Sequence, residues 1–308
     1  MGNTLNRRDF IARSLAAAPA AAVAARMVSA GAAETAKSPE VLIFSKYLQF
    51  LDYKALAKTC REVGVDGVDL TVRPGGHVEP ENVDRDLPAT VEAIRAEGLS
   101  VPMITTKYTD VRGPNVKGVF AAAAKLGIPF VRVGSHQYDD RGEIAPQIAK
   151  FTEDMRGLAA EAEAAGVTLG YHVHSGGNNF GAAVWDLLQA VEAVDSPRLG
   201  FNFDTGHTRV EGGYYAWNLH ARRLASRVKM LAVKDFVWDG GQPKWVPLGE
   251  GIVESAEAIG ILRTLGGYAG PVSLQIEYKV ASDGAMIEEI RKSVPVLRKI
   301  LRQAGYPA

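Results

Sequence analysis

The chain has 308 residues, with 35 basic and 35 acidic side chains and a hydrophobic fraction of 47%. Such balanced charge leaves no electrostatic footprint for nucleic acid or an anionic membrane. Cys60 stands alone, so no intrachain disulfide can form, and stability has to come from a buried core, which about 270 residues can supply as one domain.

At the N-terminus, Asn6-Arg7-Arg8-Asp9-Phe10-Ile11 sets paired arginines ahead of an Ala-rich, weakly apolar stretch, and small residues around Val28 to Ala33 suit signal-peptidase cleavage. This order resembles a twin-arginine signal. It implies the twin-arginine export machinery as a partner and a periplasmic or secreted destination. Arg13 and Arg26 bracket only 12 uncharged residues, short of the ~20 needed to span a bilayer, so no stable membrane anchor is expected. Residues 1–36 are assigned to this signal peptide and a short linker, and residues 37–308 to a folded domain. The first 36 positions hold four arginines and two acids, so the remainder carries 31 basic and 33 acidic groups.

Beyond the signal, apolar β-branched runs alternate with amphipathic stretches. A strand over Val41 to Lys46 leads to a helix over Tyr53 to Val63, in which Ala55, Leu56, Cys60 and Val63 share a face. Strand Gly67 to Val72 is followed by helix Leu87 to Glu97, strand Val101 to Thr106 by helix Val116 to Leu126, and strand Phe130 to Gly134 by helix Ile144 to Ala165. The second half repeats the unit. Val167 to His172 pairs with helix Ala182 to Ala193, Leu199 to Asp204 with Tyr214 to Ala225, Lys229 to Lys234 with Glu254 to Leu265, and Pro271 to Glu277 with Gly284 to Gln303. Gly64, Gly98, Gly127 and Gly166 are helix stops. Eight βα units predict an α/β fold, a single-domain (β/α)8 TIM barrel rather than an open sheet. No Gly-x-Gly-x-x-Gly follows the first strand and no P-loop occurs, so no nucleotide cofactor is expected.

A parallel barrel gathers its chemistry at the C-terminal ends of its strands. Four segments there, GVTLGYHVHSG, LGFNFDTGH, MLAVKDFVW and PVSLQIEY, run from apolar strand into polar cluster. They offer His172, His174, Asp204, His207, Lys234, Asp235, Gln275 and Glu277. Residues two apart on a strand share a face, which groups Ala232 with Lys234, Gln275 with Glu277, His172 with His174, and Asn202 with Asp204. Lys46, Arg73, Arg132 and His136 join the same end by similar reasoning, giving a cationic pocket whose acids are Asp204 and Glu277. The long connections Arg73 to Asp86, which carries His77, and Phe236 to Val253, which carries Trp238 and Trp245, leave from that end and become walls. His220, Tyr214, Tyr215 and Trp217 read as packing residues, and Lys107, Tyr108 and Arg112 as a solvated loop.

FNFDTGH followed by VKDF, with a polar strand-five end and an acidic strand-eight end, resembles the xylose-isomerase-like sugar isomerase/epimerase superfamily from about residue 40 to 305. The resemblance implies a divalent metal held by glutamate on strand five, aspartate on six, histidine on seven and glutamate on eight. A carbon-bound proton is moved beside it while enediolate charge is stabilised. Asp204 matches the aspartate, and His207 the histidine that contacts substrate. The other three positions differ: His172 replaces the first glutamate, Ala232 the histidine, and Gln275 the last glutamate, with Glu277 two residues on. The metal expectation thus falls on Asp204, His172, Gln275 and Glu277, for Zn, Mn, Mg or Co. In the alternative, Lys234 supplies the positive charge and Glu277 or a histidine moves the proton.

The expectation for function is an exported isomerase or epimerase acting on an unphosphorylated carbohydrate or sugar acid, by proton abstraction next to a carbonyl. Glu277, Lys234 and His172 are its catalytic residues; Lys46, Arg73, His77, His136, His174, His207, Asp235 and Trp238 contact substrate. The YHVH segment resembles the end found in inosose-dehydratase-like relatives, which implies a lyase as an alternative. A non-catalytic periplasmic carbohydrate-binding barrel is the other.

Overall fold

The computed structural model describes residues 38–307; the expected export signal and the boundary expected after it lie outside them. The barrel expectation holds. In chain order the elements are β1 (Val41–Phe44), a 3-10 turn (Ser45–Leu48), α1 (Tyr53–Val63), β2 (Gly67–Thr71), α2 (Val83–Ala96), β3 (Ser100–Thr105), α3 (Val116–Lys125), β4 (Phe130–Val133) and α4 (Ile144–Ala165). Then come β5 (Thr168–His172), α5 (Trp185–Val194), β6 (Leu199–Asp204), α6 (Thr205–Gly212), α7 (Ala216–Leu224), β7 (Val228–Val233), β8 (Asp235–Asp239), β9 (Gln242–Val246), α8 (Ser255–Gly266), β10 (Val272–Leu274) and α9 (Asp283–Gln303). Eight parallel strands close in the order β1-β10-β7-β6-β5-β4-β3-β2. Among the described residues, no helix is long and apolar enough to cross a membrane.

Local chemistry sets the helix ends. Asp52 caps α1 by accepting from the backbone N–H groups of Lys54 and Ala55, both at 2.9 Å. Gly64 ends it with a φ of 82° that a side chain would resist. Cys60 sits on the buried face of α1 and burial pushes its thiol up to about 12, so it is a core residue rather than a nucleophile.

Strand alternation divides the interior. Val41, Ile43, Val68 and Leu70 face the helices, whereas Leu42, Met103 and Met230 pack with Phe130 as a plug inside the barrel. Beyond the plug the inward positions turn polar. Asp69 accepts from Thr105 Oγ1 at 2.6 Å and from Ser273 Oγ at 2.8 Å.

Two connections differ from the sequence expectation. The segment after β7 is not a plain loop: β8 and β9 form an antiparallel hairpin, with Phe236 opposite Trp245 and Asp239 opposite Gln242. The helix after β6 is two helices, α6 and α7. Gly212 lies so close to Trp217 that an added Cβ would come within 2.2 Å of its backbone nitrogen, so the chain turns there.

Candidate active site

Asp204 ends β6 and at once caps α6, its Oδ1 accepting from the His207 N–H at 2.8 Å. This short cap fixes the His207 ring beside the end of β7, where Lys234 points inward one position past the strand. Lys234 Nζ donates to His207 Nε2 at 2.6 Å. It also forms ion pairs with Asp204 Oδ2 at 3.2 Å and Glu277 Oε2 at 3.0 Å. One ammonium thus donates to His207 and answers the charge of two carboxylates. Trp245, carried over by the hairpin, places its ring centroid 4.7 Å from the same nitrogen. Gly206 makes this approach possible: a Cβ there would stand 2.7 Å from Lys234 Cγ and 3.0 Å from the Trp245 ring.

Since His207 Nε2 accepts, its proton lies on Nδ1, which donates to Ser175 Oγ at 2.8 Å. His174 lies against His207 with ring centroids 3.8 Å apart and planes tilted by 35°, and donates from Nδ1 to the Ser175 carbonyl at 2.7 Å. Burial, and then the nearby Lys234 and other cations, hold His172, His174 and His207 below the ordinary imidazole range. These rings are neutral at pH 7. Burial raises Asp204, with Lys234 opposing it. For Glu277 burial acts upward too, but Lys234 and then Lys46 outweigh it and leave the carboxyl below its usual range.

A second set of polar groups surrounds the cluster. Tyr47 Oη, Arg132 Nη1, His172 Nδ1, Gln275 Nε2 and both amide atoms of Asn202 are shielded from solvent with no hydrogen-bond partner. Arg132 and Arg73 place their guanidinium carbons 5.2 and 5.3 Å from the Phe44 ring centroid. Lys46 stands exposed at the rim, 5.6 Å from the centre of the Tyr47 ring.

The structure therefore brings together His172, His174, Asp204, His207, Lys234 and Glu277, with Lys46 and Arg73 at the rim and Gln275 buried on the inward face. It does not bring in four others. His136 turns outward, stacked on Phe151 at 4.5 Å and bonded to Tyr171 Oη at 2.9 Å, because β4 ends at Val133 and alternation no longer governs it. His77 is held in its loop by Thr71, whose Oγ1 lies 3.1 Å from Nδ1. Asp235 follows Lys234 and so points away from it, accepting the backbone N–H groups of Phe236, Gly249, Gly251 and Val253 at 2.9 to 3.1 Å. Trp238 lies edge-on to Phe236 and is 45% exposed, so Trp245 rather than Trp238 covers the site.

The four residues expected to hold a metal are not brought together as a ligand group. Asp204 and Glu277 both face the Lys234 ammonium, and Ala232 supplies no ligand. The group with metal-ligand spacing among the described residues is His172, His174 and His207, whose ring nitrogens lie within 4.8 Å of one another. There too, Lys234 already occupies the Nε2 lone pair of His207. The three histidines are the residues that would hold a metal, and an ion bound through His207 Nε2 would take the place of that ammonium.

Residues 57–300 match a family described as a xylose isomerase-like TIM barrel. The C-glycoside deglycosidase alpha subunit of Microbacterium trichothecenolyticum is 28% identical over 183 residues, 58% of this chain and 45% of that protein. The matches span less than half the length of the curated relatives they reach. Among solved structures, a xylose isomerase domain protein from Alicyclobacillus acidocaldarius subsp. acidocaldarius aligns with a TM-score of 0.69 at 19% identity, covering 86% of this chain and 99% of that one. An L-ribulose 3-epimerase aligns with a TM-score of 0.67 at 16% identity, over 86% and 95%. At these identities the likeness is one of fold.

Proposed function

The chain belongs to the xylose isomerase-like TIM barrel family, and on that premise we propose a sugar-modifying enzyme that removes a carbon-bound proton beside a carbonyl, as isomerases and epimerases do. The observation that carries this reading is the Lys234 ammonium held between Asp204 and Glu277 at 3.2 and 3.0 Å. A carbonyl oxygen that takes the place of Glu277 at the ammonium receives the positive charge an enolate needs. The displaced carboxylate, ionised and 20% exposed, is then free to accept the proton. The C–H electron pair becomes the enolate double bond and the negative charge rests on the oxygen at Lys234. Return of the proton to the former carbonyl carbon, with the hydroxyl proton of the carbon that lost it passing to the oxygen at Lys234, gives an isomer. Loss of that proton to solvent and protonation of the same carbon from solvent on its opposite face gives an epimer. Lys234 does in this scheme what a cation does elsewhere in the family.

The same enolate can expel a substituent one carbon further on. The match to a C-glycoside deglycosidase alpha subunit favours this lyase variant as the second reading. Export belongs to the proposal as well, resting on Arg7-Arg8 and the Ala-rich stretch behind them; fractionation and N-terminal sequencing of the mature protein test it.

Proton abstraction is tested in D2O, following unphosphorylated aldoses, ketoses and keto-sugars by NMR. Deuterium should enter at the carbon next to the carbonyl, with or without a chelator. Binding without exchange or turnover across the whole set would instead identify a carbohydrate-binding barrel.

A further inference from the structure

The barrel interior carries a charge that none of the contacts above answers. Arg132 projects from β4 into the interior, half-buried, and Nη1 is shielded from solvent with no partner. No ion pair joins it to a carboxylate among the described residues. Asp69 lies in the same interior, but its two oxygens are engaged by Thr105 and Ser273. Asp204 and Glu277 are engaged by Lys234. A guanidinium does not shed its proton to escape burial, as a lysine or histidine does. Leaving it unanswered in a low-dielectric interior is costly.

Its surroundings are those of an anion site. Arg73 shares the Phe44 ring with Arg132, the two guanidinium carbons lying 5.3 and 5.2 Å from its centre. Tyr47 Oη, Asn202 Nδ2 and Gln275 Nε2 are buried donors without partners, and Asn202 Oδ1 is a buried acceptor without one. Water can satisfy a neutral amide or phenol, but it does not neutralise a guanidinium. Arg73, Arg132 and Lys234 oppose Asp69, Asp204 and Glu277, and Lys46 at the exposed rim adds one positive charge in excess. A single negative charge balances that count. A phosphate dianion overshoots it and would sit against three carboxylates.

The geometry points to a substrate that carries a carboxylate, a sugar acid, bound with its carboxylate on Arg132 and Arg73 and its carbonyl end toward Lys234. A planar carboxylate suits this place because it can accept two parallel N–H groups from one guanidinium while its second lone pairs meet Tyr47 or Gln275. This names the substrate class for the enzyme proposed above and rests on that reading only for the orientation of the carbonyl end.

The test compares matched sets by calorimetric titration of the purified protein: D-glucuronate, D-glucose and D-glucose 6-phosphate, then D-galacturonate, D-galactose and D-galactose 6-phosphate. A charge-assisted contact predicts that at least one uronate binds 10-fold or more tightly than its neutral partner, on the order of 10- to 100-fold. In Arg132→Gln that ratio should fall toward one while affinity for the neutral sugar changes little. Thermal melting of the variant confirms that it folds, and Arg73→Gln, at the rim, provides a second reading with a smaller fall. Equal affinity for uronates and neutral sugars, no affinity for either uronate, or tighter binding of the phosphates overturns the assignment. A uronate preference without deuterium exchange would leave it standing and remove the proton-abstraction reading instead.

Discussion

Replacing Lys234 with methionine keeps the length of the side chain and removes its charge. Asp204 is 0% exposed and Glu277 20% exposed, and both lose their counter-ion at once, while His207 Nε2 loses its donor. Breaking a buried pair from one side costs about 3–5 kcal/mol, a fall in Tm of roughly 5–9 °C for a barrel of this size. The loss should depend on pH in a defined direction. Without Lys234, both carboxyls lose the largest influence holding them down, and burial lifts Asp204 further, so the variant's folded state takes up protons more readily than the parent's. The stability difference between parent and variant should therefore be largest near pH 8 and shrink as pH falls toward 4.5, where the carboxyls are protonated. Thermal melts followed by circular dichroism at pH 8, 6 and 4.5 measure it. A gap that is flat across this range, or a loss below about 1 kcal/mol at pH 8, would refute the claim that Lys234 neutralises two buried carboxylates.

Glu277→Gln should lower kcat by about 10²–10⁴-fold with little effect on KM, read by steady-state kinetics or by deuterium exchange. In the parent, the acid limb of kcat/KM should lie below the ordinary glutamate range, because Glu277 is depressed, and no inflection should mark the histidine range. His136 is held near 4 by burial, so the unfolded chain takes its proton first and about 3 kcal/mol of stability is lost as pH falls from 6.5 to 4; His136→Phe should flatten that part of the stability curve. Trp245→Ala should impair catalysis and cost about 1–2 kcal/mol through its contacts with Lys234 and His207, whereas Trp238→Ala, at the exposed edge, should stay within about 0.5 kcal/mol. Asp235→Ala should cost about 3 kcal/mol and raise hydrogen exchange across residues 236–253, since four backbone N–H groups lose their acceptor.

Much of this was legible in the sequence wherever a strict period governs the chain. Apolar runs and glycine stops marked eight strands, and alternation alone aligned Asp204, Lys234 and Glu277 inside the barrel. Legibility ended with the strands. His136 and His77 sit in irregular segments where no period decides direction, and both turned to local partners. Asp235 was adjacent in sequence to Lys234 and for that reason faced the other way. The hairpin did carry a signal: Gly240-Gly241 between Trp238-Asp239 and Gln242 is a two-residue turn, and its register puts Trp245, not Trp238, opposite Phe236. Tyr47 and Ser175 had no signal, because a 3-10 turn and a loop place them. The lone-pair count around Lys234 was also out of reach of spacing, as it depends on which nitrogen of His207 carries the proton.

Both ends of the segment from Phe236 to Val253 return to one carboxylate, that of Asp235, and Gly251 approaches it so closely that an added Cβ would stand 2.1 Å from Oδ1. The roof of the site is thus tied at both ends to one carboxylate next to the lysine it covers and rests on Lys234 and His207 through Trp245, while its tip at Gly240-Gly241 is exposed. The hairpin forms a sheet of its own outside the eight-stranded barrel, so a change in its length or composition alters what covers Lys234 rather than the strands that carry the lysine.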